Sequence, residues 1–312
     1  MYIYYLLIVI SVFMFGGSFA MQDVYRRMRG ADGVKLTFEM IFIGSLGGLI
    51  ALILINCFSF DSGIHFDVSG LNPGFTWFTL LIAVLSVING FLFTYCSFKV
   101  LGIVNLSMFS LFAMLGGMVI PFFQGIVFYK EPITLAKIIA VIFITLALIC
   151  TIDFNKKSSS KTDKKAYIYY FGVFMLNGLG GALSKIYSSA PQQIRISDAG
   201  YSIWLSLLNT IIAGIVLLVA FPKKRAEQNG VGFTDTAICA TSGVLNKVAN
   251  FMLIVALTSG IDASVQYPMV TGGVMIVSTL AAYLTDKKPT KKEVLSIAIA
   301  FIGTLMLFVI PI

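Results

Sequence analysis

The feature that most constrains this chain is a series of ten apolar stretches, each close to the length of a membrane-spanning helix. Crossing a hydrocarbon layer about 30 Å thick takes roughly 20 apolar residues in a helix, where backbone polar groups bond to one another. Of the 312 residues, 58% are hydrophobic and only 12% are charged, unlike a soluble domain. The sequence therefore predicts an all-α membrane protein with ten transmembrane helices, at about 3–22, 36–56, 74–97, 103–128, 134–152, 166–189, 199–221, 233–258, 263–284 and 292–310.

A repeat relates the two halves of the chain at an offset of 156 to 158 residues. The matched pairs are Asn89 with Asn246, Gly102 with Gly260, Gly116 with Gly272, and Pro132 with Pro289. The Ser- and Lys-rich stretch 153–165 is the predicted flexible cytoplasmic linker between a first five-helix repeat, 1–152, and a second, 166–312. Because each repeat has an odd number of helices, the second is predicted to cross the membrane in the opposite orientation. Inverted repeats are an architecture of secondary transporters, whose substrate sites lie near the midplane.

The positive residues are distributed unevenly between the two sides of the predicted helices. Seventeen lysines and arginines flank the side reached after the first, third, fifth, seventh and ninth helices, and four flank the other side. The positive-inside rule assigns the richer side to the cytoplasm, so both termini are predicted to lie outside a cell membrane, inner or plasma. Membrane-flanking loops then account for the formal net charge of +8, and nucleic acid is not an expected partner.

An alternative for the first apolar stretch is a cleaved signal peptide, because Ser18-Phe19-Ala20 resembles a small-x-small cleavage site. The stretch lacks the basic n-region of such peptides, and Arg26, Arg27 and Arg29 follow it as they would follow a retained helix. A transmembrane helix is the favoured interpretation.

Lys247 is the most unusual residue for its position, because it falls about halfway along the predicted eighth helix. A lysine at the bilayer centre costs roughly 2.5 to 3.5 kcal/mol on insertion scales, so it persists most readily in a watery cavity or beside an acceptor. Gly243, Asn246 and Asn250 flank it at helical spacing. Lys247 is therefore predicted to lie in a pocket, and the structural alternative is a lysine held by backbone carbonyls or by Glu39.

Small and polar residues recur three and four positions apart in the first, third, fourth, sixth, seventh, eighth and ninth predicted helices. This spacing places them on one face of each helix, which indicates either a polar interior or close helix packing. The fifth and tenth helices are almost purely apolar, which predicts a position at the periphery, against lipid or a partner subunit. Glu39, near the start of the second helix, is either a solvated interfacial residue or a buried functional one.

The sequence lacks the motifs of several other protein classes. Cys57, Cys96, Cys150 and Cys239 lie in or beside apolar stretches without CxxC spacing, so neither a disulfide framework nor a metal site is predicted. There is no HExxH, no GxSxG and no P-loop, and the single histidine, His65, falls in a predicted loop. Neither an enzyme, nor direct coupling to ATP, nor a cofactor is therefore expected.

The chain resembles the drug/metabolite transporter superfamily, specifically its EamA-type permeases. The resemblance rests on ten predicted helices in two halves, a glycine-containing first helix in each half, and the turn Lys130-Glu131-Pro132 between the fourth and fifth helices. It implies a central pocket lined by helices one to four and six to nine, with helices five and ten outside. The polar faces, interpreted without the resemblance, give the same division.

Two features depart from the superfamily pattern. Many relatives place both termini in the cytoplasm, whereas the charge distribution here places them outside. The small multidrug branch uses a membrane-embedded glutamate in its first helix, but this first helix has no acidic residue before Asp23. That proton-exchange mechanism is therefore not carried over to this chain.

The predicted function is secondary active transport of a small polar or amphipathic metabolite by alternating access, each half rocking around a midplane pocket. Lys247 would hold a substrate carboxylate or phosphate, and Lys247 or Glu39 would provide any proton or ion coupling. The alternatives are a lipid-carrier flippase-like protein and a non-transporting scaffold or receptor. The predicted function leaves the substrate and the direction of transport open, and the sequence is compatible with either a monomer or a homodimer. The predicted substrate-binding residues are Lys247, Asn246, Asn250, Asn89, Asn177, Ser206, Asn209, Gln124, Tyr95 and Tyr267.

Overall fold

The computed structural model describes residues 2–30, 33–57, 74–104, 106–130, 133–151, 164–221, 232–283 and 288–309. Within these ranges every regular element is an α-helix. His65, Glu131, Pro132 and most of the predicted linker lie outside the described residues. The helices are α1 (Tyr2–Arg29), α2 (Val34–Cys57), α3 (Trp77–Ile103), α4 (Leu106–Tyr129), α5 (Leu135–Thr151), α6 (Lys164–Ser188), α7 (Asp198–Ala220), α8 (Phe233–Thr258), α9 (Ala263–Tyr283) and α10 (Lys291–Val309).

Seven of the described helices are long and apolar enough to cross a membrane, namely α1 to α4 and α7 to α9. Shorter apolar segments occupy 138–147 in α5 and 294–303 in α10. The remaining helix, α6, carries Asn177 and Lys185 among its apolar residues. An all-helical integral membrane protein is thus confirmed, and the crossing of the membrane by all ten helices stays a prediction.

The helix ends differ from the predicted ones where charged residues continue a helix. The first helix extends to Arg29 rather than ending at 22, because Arg26, Arg27 and Arg29 form its last turn, where positive side chains favour a helix C-terminus. Similarly, α6 begins at Lys164, inside the predicted linker. A count of apolar residues locates the hydrocarbon-crossing part of a helix but not its charged ends.

Most helices pack mainly against helices of the other half of the chain. Helix α1 packs against α8 and α9, and α2 packs against α7 and α8. In the same way, α6 packs against α3 and α4, while α3 also contacts α7. For description we name two four-helix sets, group A (α1, α2, α8, α9) and group B (α3, α4, α6, α7); of these, α7 packs more extensively on α2 of group A than on α3. The groups contact each other along α2–α7 and α4–α9, and α5 pairs with α10 outside them.

The closest helix approach in group A is a glycine contact between α2 and α8. A methyl group on Gly243 would overlap the backbone of Gly44, and one on Gly47 would lie 3.2 Å from the carbonyl oxygen of Ala240. Such close backbone packing replaces the hydrophobic driving force that helices lack inside a bilayer. The contact holds α8, with its lysine, directly against α2.

We predict that Gly243→Ala destabilises the protein by about 1–3 kcal/mol, because the added methyl group forces α2 and α8 apart. Thermal unfolding of the purified protein in detergent measures the effect. Gly90→Ala on α3 is the matched control, since no atom lies within 4 Å of the added methyl group. Equal melting temperatures for the two variants would contradict this account of the α2–α8 contact.

Candidate functional site

A cavity of about 270 Å³ lies between group A and group B. Residues from α1, α2, α3, α4, α6, α7, α8 and α9 line it. None of its described lining residues comes from α5 or α10, whose partly buried faces pack on each other. The cavity is therefore central to the eight helices that form the two groups.

The lining repeats between the two halves of the chain. On α3 and α8, four lining positions coincide at the 157-residue offset that pairs Asn89 with Asn246. On α1 and α6, four more coincide at an offset of 162 residues. The related faces are Ser86, Asn89, Gly90 and Phe93 with Gly243, Asn246, Lys247 and Asn250, and Phe15, Ser18, Phe19 and Gln22 with Asn177, Gly180, Gly181 and Ser184. Corresponding helices thus turn corresponding faces toward the cavity.

Lys247 lines the cavity at the middle of α8. Its aliphatic stem packs against α2, where a methyl group on Gly48 would lie 2.5 Å from its Cγ. Among the described residues that line the cavity, Lys247 carries the only charge. No hydrogen bond or ion pair joins its ammonium group to another described residue. The cavity therefore contains one positive charge that has no counter-ion among the described residues.

Amide groups of the lining asparagines are bonded to the protein backbone. Asn89 donates from Nδ2 to the carbonyl of Leu176 at 2.9 Å, and Asn177 donates to the carbonyl of Ala113 at 2.7 Å. Within α8, Asn250 donates to the carbonyl oxygen of Asn246 at 2.8 Å, and on α7 the equivalent bond of Asn209 runs to Leu205 at 2.8 Å. These amides position helices as well as line the cavity. The Oδ1 atom of Asn89 is buried without a hydrogen-bond donor in the described part of the chain.

Tyr267 of α9 lines the cavity and donates a hydrogen bond from its hydroxyl to the carbonyl oxygen of Gly181 on α6, at 2.8 Å. Seven of the ten predicted substrate-binding residues therefore line the cavity, namely Tyr267, Lys247 and the five asparagines.

Tyr95, Gln124 and Ser206 lie outside the cavity lining. The ring of Tyr95 contacts that of Tyr169 at 6.1 Å, and Gln124 donates to the carbonyl oxygen of Ala182 at 3.3 Å. Ser206 is fully buried on α7. Helical spacing selects the face of a helix, but the depth and tilt of each helix decide which residues on that face reach the cavity.

The Glu39 cluster lies where the C-terminal end of α1 meets the N-terminal ends of α2 and α8. The hydroxyl of Tyr25 donates to Oε2 of Glu39 at 3.2 Å, and Arg29 lies 3.5 Å from the same oxygen and 3.4 Å from Oδ2 of Asp235. Glu39 is only 8% exposed, which favours the buried alternative over a solvated one. One guanidinium group thus joins carboxylates from two helices of group A.

The Asp198 cluster occupies the opposite end of α8. Asp198, at the start of α7, accepts hydrogen bonds from Arg195 at 3.1 Å and from Thr258 of α8 at 2.7 Å. Beside them the rings of Tyr187 and Tyr201 stack at 3.9 Å. The cluster therefore connects α7 of group B to α8 of group A.

The two clusters bound the cavity at its two ends. Asp235 and Thr258 are 23 residues apart on α8, or roughly 35 Å along the helix axis. Cys239 lines the cavity and packs in one apolar cluster with Tyr25, and Tyr201 lines it and packs with Tyr187. The sequence interpretation missed both clusters. The only signal was the presence of acidic residues near the starts of the second, seventh and eighth helices.

We predict that Glu39→Gln and Asp235→Asn each lower stability by about 1–3 kcal/mol, because each removes a charged hydrogen-bond acceptor. Both carboxylates contact Arg29. The stability lost in the double variant should therefore differ measurably from the sum of the losses in the two single variants. Thermal unfolding of the four proteins in detergent measures the coupling. Strict additivity would show that Arg29 does not join the two groups energetically.

Comparison with known proteins identifies the second half of the chain. Residues 164–309 match the EamA-like transporter family. No curated protein matches the chain in sequence. A solved structure titled "Crystal structure of protein" superposes with a TM-score of 0.57 at 12% identity, covering 96% of this chain and 94% of that chain, which shows a shared fold over nearly the whole length. The second half of the chain is therefore similar to the EamA-like transporter family, within a protein that has seven described helices long and apolar enough to cross a membrane.

Proposed function

We propose that this protein is a secondary active transporter that moves a small polar or amphipathic metabolite across the cytoplasmic membrane by alternating access. The observation that carries the proposal is the central cavity, which contains the ammonium group of Lys247 near the middle of α8 and no acidic group among its described lining residues. The EamA match to a family of transporters supports it. A binding site at the middle of the membrane is what alternating access requires.

The architecture that we propose is ten membrane spans in two inverted five-helix repeats. Two observations support it. The helix contacts are preserved when α1 to α5 are exchanged with α6 to α10, since α1–α9 corresponds to α6–α4 and α1–α8 to α6–α3. The cavity lining follows the same exchange. With the richer positive side in the cytoplasm, both termini lie outside.

The moving bodies in this proposal are groups A and B rather than the two sequence halves. Ser18 and Ser242 join α1 to α8 with their hydroxyl oxygens 3.1 Å apart. Asn89 joins α3 to α6, and Asn177 joins α6 to α4. Each of these bonds lies within a group but crosses between the halves, so a rocking motion of the halves would break them. A motion of group A against group B leaves them intact.

Hydrogen bonds between described residues of the two groups include one at the Asp198 end and one beside the cavity. Thr258 donates to Asp198 at one end, and Tyr267 donates to the carbonyl oxygen of Gly181 beside the cavity. Opening the Asp198 end requires the first of these bonds to break, while the Glu39 cluster moves with group A. Glu39 and Lys247 are the titratable groups that we propose for any proton coupling.

The size of the cavity favours a metabolite over a lipid carrier. At about 270 Å³ it is at or below the lower limit of about 300 Å³ for pockets that hold drug-sized ligands. A scaffold or receptor role gives no reason for an ammonium group without a protein counter-ion at the centre of a membrane protein.

A pair of engineered disulfides distinguishes the two kinds of motion. In a chain whose four native cysteines are replaced by alanine, we predict that oxidation of Asp198→Cys/Thr258→Cys stops transport, because it fixes group A to group B. The disulfide of Ser18→Cys/Ser242→Cys lies within group A and should leave transport at more than half of its reduced rate. Flux into proteoliposomes before and after reduction measures both effects. The reverse result would assign the motion to the sequence halves.

Transport itself is tested by a thermal-shift screen of metabolites on the purified protein, followed by flux of each stabilising compound into proteoliposomes. We predict that Lys247→Ala lowers flux at least tenfold, since one charged contact contributes about 1.5–3 kcal/mol. Unchanged flux in a folded Lys247→Ala protein would contradict the role proposed for Lys247. Absence of flux for every compound that binds would contradict the proposed transport function.

The orientation of the chain in the membrane is measured by a separate experiment. A cysteine introduced by Ser159→Cys, between the two repeats, should be shielded from an impermeant thiol reagent in intact cells and become reactive after permeabilisation. Labelling in intact cells would place the termini in the cytoplasm.

A further inference from the structure

The offset that pairs Asn89 with Asn246 also pairs Gly90 with Lys247. Both residues of this second pair line the cavity, Gly90 from α3 in group B and Lys247 from α8 in group A. Corresponding positions of the two halves thus contribute a long cationic side chain on one wall and no side chain on the other. This is the largest chemical difference between the two related faces.

The space in front of Gly90 is open. Among the described residues, no atom outside the adjacent backbone of α3 would lie within 4 Å of a methyl group on Gly90, whereas one on Gly48 or Gly243 would overlap a neighbouring helix. Close helix packing therefore does not explain the glycine at position 90. The open space at Gly90 is part of the cavity, and Phe93 of the same helix also lines the cavity. The ring of Phe93 lies 6.4 Å from that of Phe19. The part of the cavity wall formed by Gly90 and Phe93 is thus open and partly aromatic.

The polar groups of the lining favour a single anionic group in the ligand. Asn89, Asn177, Asn209 and Asn250 each use one of their two amide N–H groups on a backbone carbonyl, and the remaining N–H groups are uncharged donors. Lys247 is the single charged residue in the described lining. A dianionic phosphate is normally held by several charged or backbone donors, whereas one ammonium group matches one carboxylate.

We propose that the ligand is a small organic monocarboxylate with an apolar body, its carboxylate on the Lys247 ammonium group and its body in the space over Gly90, against Phe93. The proposal rests on the proposed transport function and names its substrate class. Such a ligand supplies the counter-ion that the described lining does not contain. It also spans the cavity from group A to group B, so its binding connects the two groups.

Four probes of matched size test the charge preference. They are 3-phenylpropionate, 3-phenylpropan-1-ol, 3-phenylpropylamine and 2-phenylethyl phosphate, and their affinities for the purified full-length protein are measured by calorimetry in detergent. We expect the carboxylate to bind at least tenfold more tightly than each of the others, given about 1.5–3 kcal/mol for a charged contact. Equal or tighter binding of the alcohol, amine or phosphate overturns the proposal, and so does absence of carboxylate binding.

Variants locate the two ends of the ligand. Lys247→Gln should weaken 3-phenylpropionate binding at least tenfold, and Gly90→Leu should do the same by filling the space over α3. Lys185→Gln is the control, because Lys185 lies over the ring of Tyr129 at 5.2 Å and outside the lining. This control should keep the affinity within about threefold. Retained affinity in Lys247→Gln or in Gly90→Leu contradicts the assigned pose.

A second measurement needs no ligand. In a chain without its native cysteines, Gly90→Cys places a thiol in the open space, and it is treated with an anionic or a cationic methanethiosulfonate reagent. We expect the anionic reagent to react several-fold faster, and Lys247→Met to remove that preference. Equal rates with Lys247 present would show that no unbalanced positive charge reaches the space over Gly90.

Failure of this inference and failure of the transport function have different signatures. If the neutral alcohol binds and is carried into proteoliposomes whether or not Lys247 is present, transport stands and the carboxylate site does not. If 3-phenylpropionate binds through Lys247 but is not carried, the anion site stands without transport.

Discussion

The structure depends on keeping one ammonium group in the interior of a membrane protein. Lys247 reaches the central cavity because its stem lies in the space left by Gly48, and because Gly44 and Gly243 bring α2 and α8 into backbone contact. An ammonium group in hydrocarbon is unfavourable, so the cavity has to be enclosed by the surrounding eight helices. The apolar pair α5–α10 stays outside them.

The interleaving of the two halves follows from how helices associate in lipid. Without a hydrophobic driving force between them, helices associate through small residues and a few hydrogen bonds. Here these contacts largely join α1 and α2 to α8 and α9, and α6 to α3 and α4. Neither half therefore has its full set of packing partners within its own sequence. A half expressed alone would leave the polar faces of Asn89 or Asn246 toward lipid.

The sequence predicted those parts of the structure that depend on local spacing. Lys247 and five asparagines were found because polar residues on an apolar helix are conspicuous, and the outer position of α5 and α10 follows from their composition. Tyr95, Gln124 and Ser206 share polar helix faces but lie outside the cavity lining, since helix tilt and depth are set by contacts with distant segments. The ion pair of Arg29 with Asp235, residues 206 positions apart, has no local signal.

The pairing of Lys247 with Gly90 has a consequence for how such a protein acquires specificity. In a symmetric dimer of identical subunits, a lysine at this position would occur twice and face its own copy, and two ammonium groups in one small cavity would repel each other. Covalent fusion of duplicated halves removes that restriction. Each wall can then change independently, so a single substitution alters the chemistry of a shared compartment without being copied on the opposite side.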